Sequence, residues 1–258
     1  MKIIVLVKEV PDTYSDRKLD LETGLADRGA SDPVLDEISE RSLEVALSYA
    51  DGHEGVEVVA LSVAPENASA TVRKALAVGA GRAVQVIDEE LHGADIMLTA
   101  EVLAAASRNE GFDLIITGNT ATDGMSGMVP AALAEHLGVA LLTGLSEVEI
   151  TDSAVNGRRP VDGGVQQVSA TLPAVISITE ALPDGRFPSL KGIMAAKKKP
   201  LETLSLADLN VTVDNAASPR SIMLSISEKP PREAGIKIVD EGDAGERIAD
   251  FLVENRLA

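Results

Sequence analysis

The chain has 258 residues, 45% of them hydrophobic, and carries 41 Asp and Glu against 23 Lys and Arg, for a formal net charge of −18. That length and apolar content support a full buried core, while the acidity excludes a nucleic-acid or anionic-membrane surface, either of which needs a basic patch. Without cysteine there are no disulfides, thiolate metal sites, cysteine nucleophiles or iron–sulfur ligands, and His53, His92 and His136 are too far apart in sequence for a zinc site, so no metal is expected.

Short β-branched runs alternate with helical patterns, which predicts a parallel sheet between layers of helices. Strands are expected over residues 3–7, 56–63, 83–87 and 114–117, all continuous apolar runs of the kind buried on both faces. Lys8 and Glu9 interrupt the first run, and no apolar stretch approaches the roughly 18 residues of a membrane span, so a cytoplasmic protein with no membrane insertion is expected. Between the strands, Leu43, Ala46, Leu47 and Ala50 fall on one helical face, as do Ala68, Val72, Ala75 and Leu76, and then Leu98, Val102, Ala105 and Ala106. Glu37, Glu40 and Glu44 have the spacing of a solvated helix face. Val129, Ala132, Leu133 and Leu137 mark a further helix ending at Gly138. Strands follow over 145–150, 165–170 and 174–179, the first two paired through a turn at Asn156-Gly157.

From residue 182 the pattern becomes irregular and proline-punctuated, which divides the chain into an α/β domain, 1–181, and an arm, 182–258. The arm ends in a helix starting near Asp243, where Asp243 and Glu246 have capping-box spacing and Ile248, Phe251 and Leu252 form an apolar stripe.

Two stretches carry functional signals. The loop after the fourth strand, Gly118-Asn-Thr-Ala-Thr-Asp-Gly-Met-Ser-Gly127, leads straight into a helix, and strand, glycine-rich loop and helix start make an anion cradle in which Ser126 is placed to cap. It lacks the P-loop lysine, and the strict dinucleotide fingerprint is absent. Ser126 has no histidine nearby in sequence, and nothing supports its pairing with His136 on the next helix, so nucleophilic catalysis is not expected. The second stretch concentrates Phe187, Leu190, Ile193 and Met194 before Lys197, Lys198 and Lys199, while Pro183, Gly185, Pro188 and Gly192 deny it a continuous helix. Composition alone leaves two readings open: a docking surface for a partner, or a connection whose apolar residues tuck into their own domain.

The order and spacing of Arg158-Arg-Pro-Val-Asp-Gly-Gly164, Leu172-Pro-Ala-Val-Ile-Ser-Ile178 and Gly185-Arg-Phe-Pro-Ser-Leu-Lys-Gly-Ile-Met-Ala-Ala-Lys-Lys-Lys199 resemble the beta subunit of electron transfer flavoproteins. The resemblance extends through Val7-Lys-Glu-Val-Pro-Asp-Thr13, Val72 to Arg82 and Asp113 to Gly118, and so covers nearly the whole chain. It implies a three-layer adenine-nucleotide hydrolase-like (Rossmann-like) α/β fold with an extended C-terminal arm that wraps an alpha subunit. It also implies a structural AMP against Leu6, Asp36, Glu37, Ile38, Ser39, Val63, Gly118, Asn119, Thr120, Ala121, Thr122, Asp123, Gly124, Met125 and Ser126. Asp12, Thr13 and Tyr14 would neighbour an FAD held mainly by the alpha subunit. The 187–199 segment, with Leu190 as anchor, would dock acyl-CoA and related dehydrogenases, whose electrons leave toward a membrane quinone oxidoreductase. The role implied is an electron carrier rather than an enzyme. Where some members have a glutamate before the turn at Val161-Asp-Gly-Gly164, this chain has Pro160. The alternatives are a flavin-bifurcating complex with a second FAD in place of AMP, and a universal-stress-type nucleotide sensor acting as a homodimer.

Overall fold

Successive residues of the first strand, β1 (Lys2–Leu6), point to opposite faces of a sheet, and both sets are buried: Ile3 and Val5 in one apolar cluster, Ile4 and Leu6 in another. The protein is represented by a computed structural model that describes residues 1–15, 18–213, 221–235, 237 and 239–257. After β1 come β2 (Glu9–Pro11) and β3 (Pro33–Leu35), a small antiparallel ribbon, then α1 (Glu37–Asp51), β4 (Glu57–Val63), α2 (Ser69–Val78) and β5 (Arg82–Val86). Next are α3 (Ile96–Glu110), β6 (Leu114–Gly118), α4 (Val129–Leu137), β7 (Ala140–Leu145), β8 (Glu147–Ile150), β9 (Ala154–Val161), β10 (Gly164–Thr171) and β11 (Ala174–Ile178). The chain continues through α5 (Leu190–Ala196), β12 (Leu201–Leu204), α6 (Leu206–Leu209) and α7 (Ala244–Glu254).

Seven strands form one parallel sheet in the order β12-β5-β4-β1-β6-β11-β7. The expected apolar stripes close its faces. Leu43, Ala46 and Leu47 of α1 and Val72, Ala75 and Leu76 of α2 join one cluster; Leu98, Val102 and Ala106 of α3 and Leu133 of α4 join the other. This is the three-layer α/β arrangement expected from the alternation of apolar runs. Strand order sets where a ligand can enter. From β1 the chain steps to β4 and then β5, but β6 returns to the other side of β1 and continues toward β11 and β7. The carboxyl ends of β1 and β6 therefore flank a topological switch point, where helices diverge and leave a crevice.

Four expectations differ from the structure. Asn156 and Gly157 lie inside β9 rather than at a turn; β9 pairs with β8 on one side and β10 on the other, and the β9–β10 turn is at Asp162-Gly163. Gly157 is required by packing, because a Cβ there would approach the Glu147 carbonyl oxygen to 2.8 Å and the Leu145 methyls to 2.9 Å. Second, the first compact unit runs to Ser225, not to residue 181, and a second comprises Ile226–Ala258. The reason is β12, which extends the sheet beside β5, followed by the buried Leu206 and Leu209 of α6.

Third, Gly192 does not break a helix: residues 190–196 form α5, with the Ser189 hydroxyl accepting from the Gly192 amide at 3.0 Å as N-cap. Fourth, Asp243 and Glu246 form no capping box. The Asp243 carboxylate pairs with Arg247 at 2.8 Å, and Asp240 instead accepts from the Gly242 and Ala244 amides, at 2.8 and 3.2 Å. The stripe residues Ile248 and Phe251 of α7 are exposed. Among the described residues, no helix is long and apolar enough to cross a membrane, and no group of His, Asp or Glu is arranged to hold a metal.

Candidate functional site

The crevice at the switch point is a cleft of about 160 Å³. Its lining includes Leu6, Asp36, Ile38, Ser39, Val63, Gly118, Asn119, Thr120, Ala121, Gly124, Met125 and Ser126, so most of the residues expected at a nucleotide site come together although they are spread along the chain. Leu61 and Leu103 add apolar wall that the sequence reading did not anticipate, and Lys8 adds a cation. Gly118 is where β6 meets the first turn of α1: a Cβ there would lie 3.0 Å from Ile38 Cβ and closer still to its γ carbons. Only glycine lets the loop start this close to the helix. Beyond it, Met125 takes a positive φ of 49°, an uncommon conformation for a residue with a side chain and one that concentrates at functional loops.

Thr122 and Asp123 stand behind the lining and hold the loop in place. The Thr122 amide donates to Asp36 Oδ2 at 3.0 Å. Asp36 precedes α1 but its side chain does not cap that helix; it braces the loop instead. Asp36 is fully buried, and its Oδ1 and the Thr122 hydroxyl have no hydrogen-bond partner among the described residues. Burial pushes the Asp36 carboxyl above the ordinary aspartate range, against the opposing pull of the Thr122 amide. Asp123 is nearly as enclosed but paired: Lys8 Nζ lies 2.6 Å from its Oδ1 and Arg28 Nη2 lies 3.2 Å from its Oδ2. Burial alone would raise this carboxyl, yet the two cations hold it below the ordinary range. Ser126 is exposed and does not cap α4, whose N-cap is Met128, and the structure records no hydrogen bond between Ser126 and His136.

The remaining expected residues lie outside the cleft. Glu37 faces a separate groove between α1 and residues 184–188, together with Glu40, Glu44 and Lys74. Asp12 and Thr13 are half-buried in the turn after β2, where Asp12 Oδ1 accepts from the Tyr14 amide at 3.1 Å, and the Tyr14 ring is 92% exposed. In the 187–199 segment, Phe187, Leu190 and Met194 are 96%, 84% and 72% exposed, and Ile193 is partly so. Of the two readings that composition left open, the apolar residues do not tuck into their own domain.

The loop leading to them is tied down. Glu44, expected in a solvated face, accepts from the Arg186 side chain through both carboxylate oxygens at 2.7 and 2.9 Å and from the Arg186 amide at 3.1 Å. Arg186 also pairs with Asp51 at 2.9 Å, and Arg41 bonds the Leu182 carbonyl and Asp184. Of the lysine triplet, Lys197 and Lys198 are exposed, whereas Lys199 caps α2 by donating to the carbonyls of Leu76, Gly79 and Ala80 at 3.0, 3.3 and 2.7 Å. Lys199 therefore does not present its charge as the triplet suggested.

A family model described as the electron transfer flavoprotein domain matches residues 24–209. The chain is 46% identical to the electron transfer flavoprotein subunit beta of Mycobacterium tuberculosis (strain H37Rv), over 99% of this chain and 98% of that protein. The chain belongs to the electron transfer flavoprotein beta-subunit family. Among its other relatives, the Bacillus subtilis electron transfer flavoprotein subunit beta is 35% identical over 98% of this chain and 96% of its own length. Subunit CarD of the caffeyl-CoA reductase–Etf complex of Acetobacterium woodii is 30% identical over 98% and 97%. Membership makes the protein a subunit of a flavin-dependent electron carrier, implies an alpha-subunit partner, and displaces the homodimeric sensor alternative.

Proposed function

We propose that this chain is the half of a cytoplasmic, heterodimeric electron carrier that holds a structural AMP, completes the binding site of an FAD held mainly by the alpha subunit, and docks acyl-CoA and related dehydrogenases. Electrons leave the carrier toward a membrane quinone oxidoreductase. FAD, when bound, supplies the redox chemistry; the residues of this chain bind, orient and dock.

The cleft suits an adenine nucleotide. Leu61, Val63 and Leu103 offer an apolar wall for a base, the 118–127 loop offers main-chain amides, and Asp36 Oδ1 is a buried acceptor without a donor among the described residues. Its position at the switch point is where α/β sheets take such ligands. Asp12, Thr13 and Tyr14 are assigned to the FAD side, with the exposed Tyr14 ring available to a partner subunit, and the arm to the alpha subunit. Denaturing the copurified heterodimer is expected to release one AMP and one FAD. Two FAD per heterodimer would instead assign the flavin-bifurcating alternative.

The observation that carries the docking reading is Leu190, the first residue of α5, left in solvent beside Phe187 and Met194 on a loop held by Arg186 and Glu44. A preorganised apolar anchor of this kind is what a partner pocket recognises, with Lys197 and Lys198 beside it for steering toward acidic surfaces. Leu190→Ala is expected to lose about 2 kcal/mol of docking energy, slowing FAD reduction by a dehydrogenase about thirtyfold at subsaturating concentrations. Heterodimer yield and flavin content should not change. An unaltered reduction rate would remove Leu190 from the docking surface.

A further inference from the structure

We infer that Lys8 binds the phosphate of the nucleotide in the β1/β6 cleft, with Asp123 as its positioning residue; the inference rests on the nucleotide reading above. Lys8 lies two residues beyond the carboxyl end of β1, and its backbone is pinned on both sides. Its amide donates to Ser39 Oγ at 3.2 Å, and its carbonyl accepts from the Asp36 amide at 2.9 Å. The root of the side chain is thus fixed to the first turn of α1, which is itself a wall of the cleft.

From that root the ammonium reaches Asp123 Oδ1 at 2.6 Å, beside the glycine-rich loop: a Cβ placed on Gly124 would lie 3.9 Å from Nζ. An ammonium carries three donors. Asp123 is the one hydrogen-bond partner recorded for it among the described residues, which leaves two donors for a ligand. Binding a phosphate would not strand the enclosed Asp123 carboxylate, because Arg28 holds its other oxygen and Lys8 can share its charge between the two anions.

The charges around the cleft make Lys8 necessary. Among the described lining residues the ionisable groups are Lys8 and Asp36. A phosphate dianion near Asp36 and Asp123 would meet two carboxyl groups, and Lys8 is the lining group that offsets them. The glycine loop lacks the P-loop lysine, and Lys8 supplies that cation from the end of a different strand. The ligand selected is then a nucleoside 5′-phosphate over the same nucleoside without phosphate, because the lysine contact exists only for the former.

The test is calorimetric titration of AMP and of adenosine into the nucleotide-free full chain, as wild type, Lys8→Gln and Lys8→Arg. The wild type should prefer AMP, and Lys8→Gln should raise the AMP Kd by about tenfold or more. Adenosine affinity should be unchanged by Lys8→Gln, and Lys8→Arg should retain most of the AMP affinity. Equal AMP binding by wild type and Lys8→Gln, or equal weakening of AMP and adenosine, would overturn the assignment of Lys8 while leaving the nucleotide site intact. If the wild type binds neither AMP nor adenosine nor added FAD, the nucleotide reading itself fails and this inference with it.

Discussion

Gly192→Ala is expected to cost roughly 3 kcal/mol of folding stability and to unseat α5, although alanine at an open position inside a helix would stabilise it by about 1 kcal/mol. The sign is set by what lies opposite. A Cβ on Gly192 would sit well inside contact distance of the Ala77 carbonyl oxygen, 3.4 Å from that carbonyl carbon and 3.3 Å from Ser189 Oγ. The obstructing atom belongs to the backbone of α2, so no rotamer change relieves it, and α5 must lift away. Lifting breaks the bond from Arg73 Nη1 to the Ala196 carbonyl, 2.9 Å, and uncovers Ala196. Because α5 begins at Leu190, docking should fail with it. A lowered urea midpoint together with tryptic cleavage at Lys191 and Lys197 would bear this out. A variant as stable as wild type would show that the two helices do not approach this closely.

That substitution also marks where the sequence stops being readable. The seven-stranded sheet was legible in five of its strands, because strands buried on both faces need continuous apolar runs and their crossover helices need a stripe on one face. The two edge strands were not: β7 ends at Leu145, where the expected strand begins, and is only partly buried, while Leu201–Leu204 of β12 reads LETL, four residues with two of them exposed, and carries neither signal. Gly157 and Gly192 each look like punctuation in one dimension and are close approaches in three. The cleft was legible where strand, glycine-rich loop and helix start are consecutive. Leu61 and Leu103 entered it only through the stacking of elements, and Lys8 is paired with a residue 115 positions away. Applying the switch-point rule to the residue just after the first expected strand, 3–7, would have singled out Lys8. Glu44 offered no such signal. Its spacing is that of a solvated face, and its partner Arg186 lies 142 positions along the chain.

That pair governs the docking loop, and Arg186→Ala is expected to cost roughly 2–3 kcal/mol at neutral pH, the range for a partly enclosed, bidentate, charge-assisted interaction. The Glu44 side chain is 15% exposed, so removing arginine leaves a largely enclosed carboxylate without its principal partner. The pH dependence distinguishes this from lost packing. In the wild type, the hydrogen bonds from Arg186 hold the Glu44 carboxyl below the ordinary glutamate value, against the opposing effect of burial. A carboxyl depressed in the folded state contributes stability that is complete above the unfolded value and is lost as pH falls through the folded one. In Arg186→Ala only the Ser48 hydroxyl, 2.7 Å from Glu44 Oε1, still opposes burial, so the Glu44 value rises and its contribution to stability shrinks. The gap between wild type and variant should therefore be widest at neutral pH and narrow as acid protonates Glu44 in both. Urea midpoints followed from neutral to acidic pH read this directly; a gap that stays constant would mean that Arg186 acts through its packing alone. At neutral pH the loosened loop should also weaken dehydrogenase docking while Leu190 is still present, because an anchor that must be ordered at the moment of binding gives up part of its binding energy to that ordering.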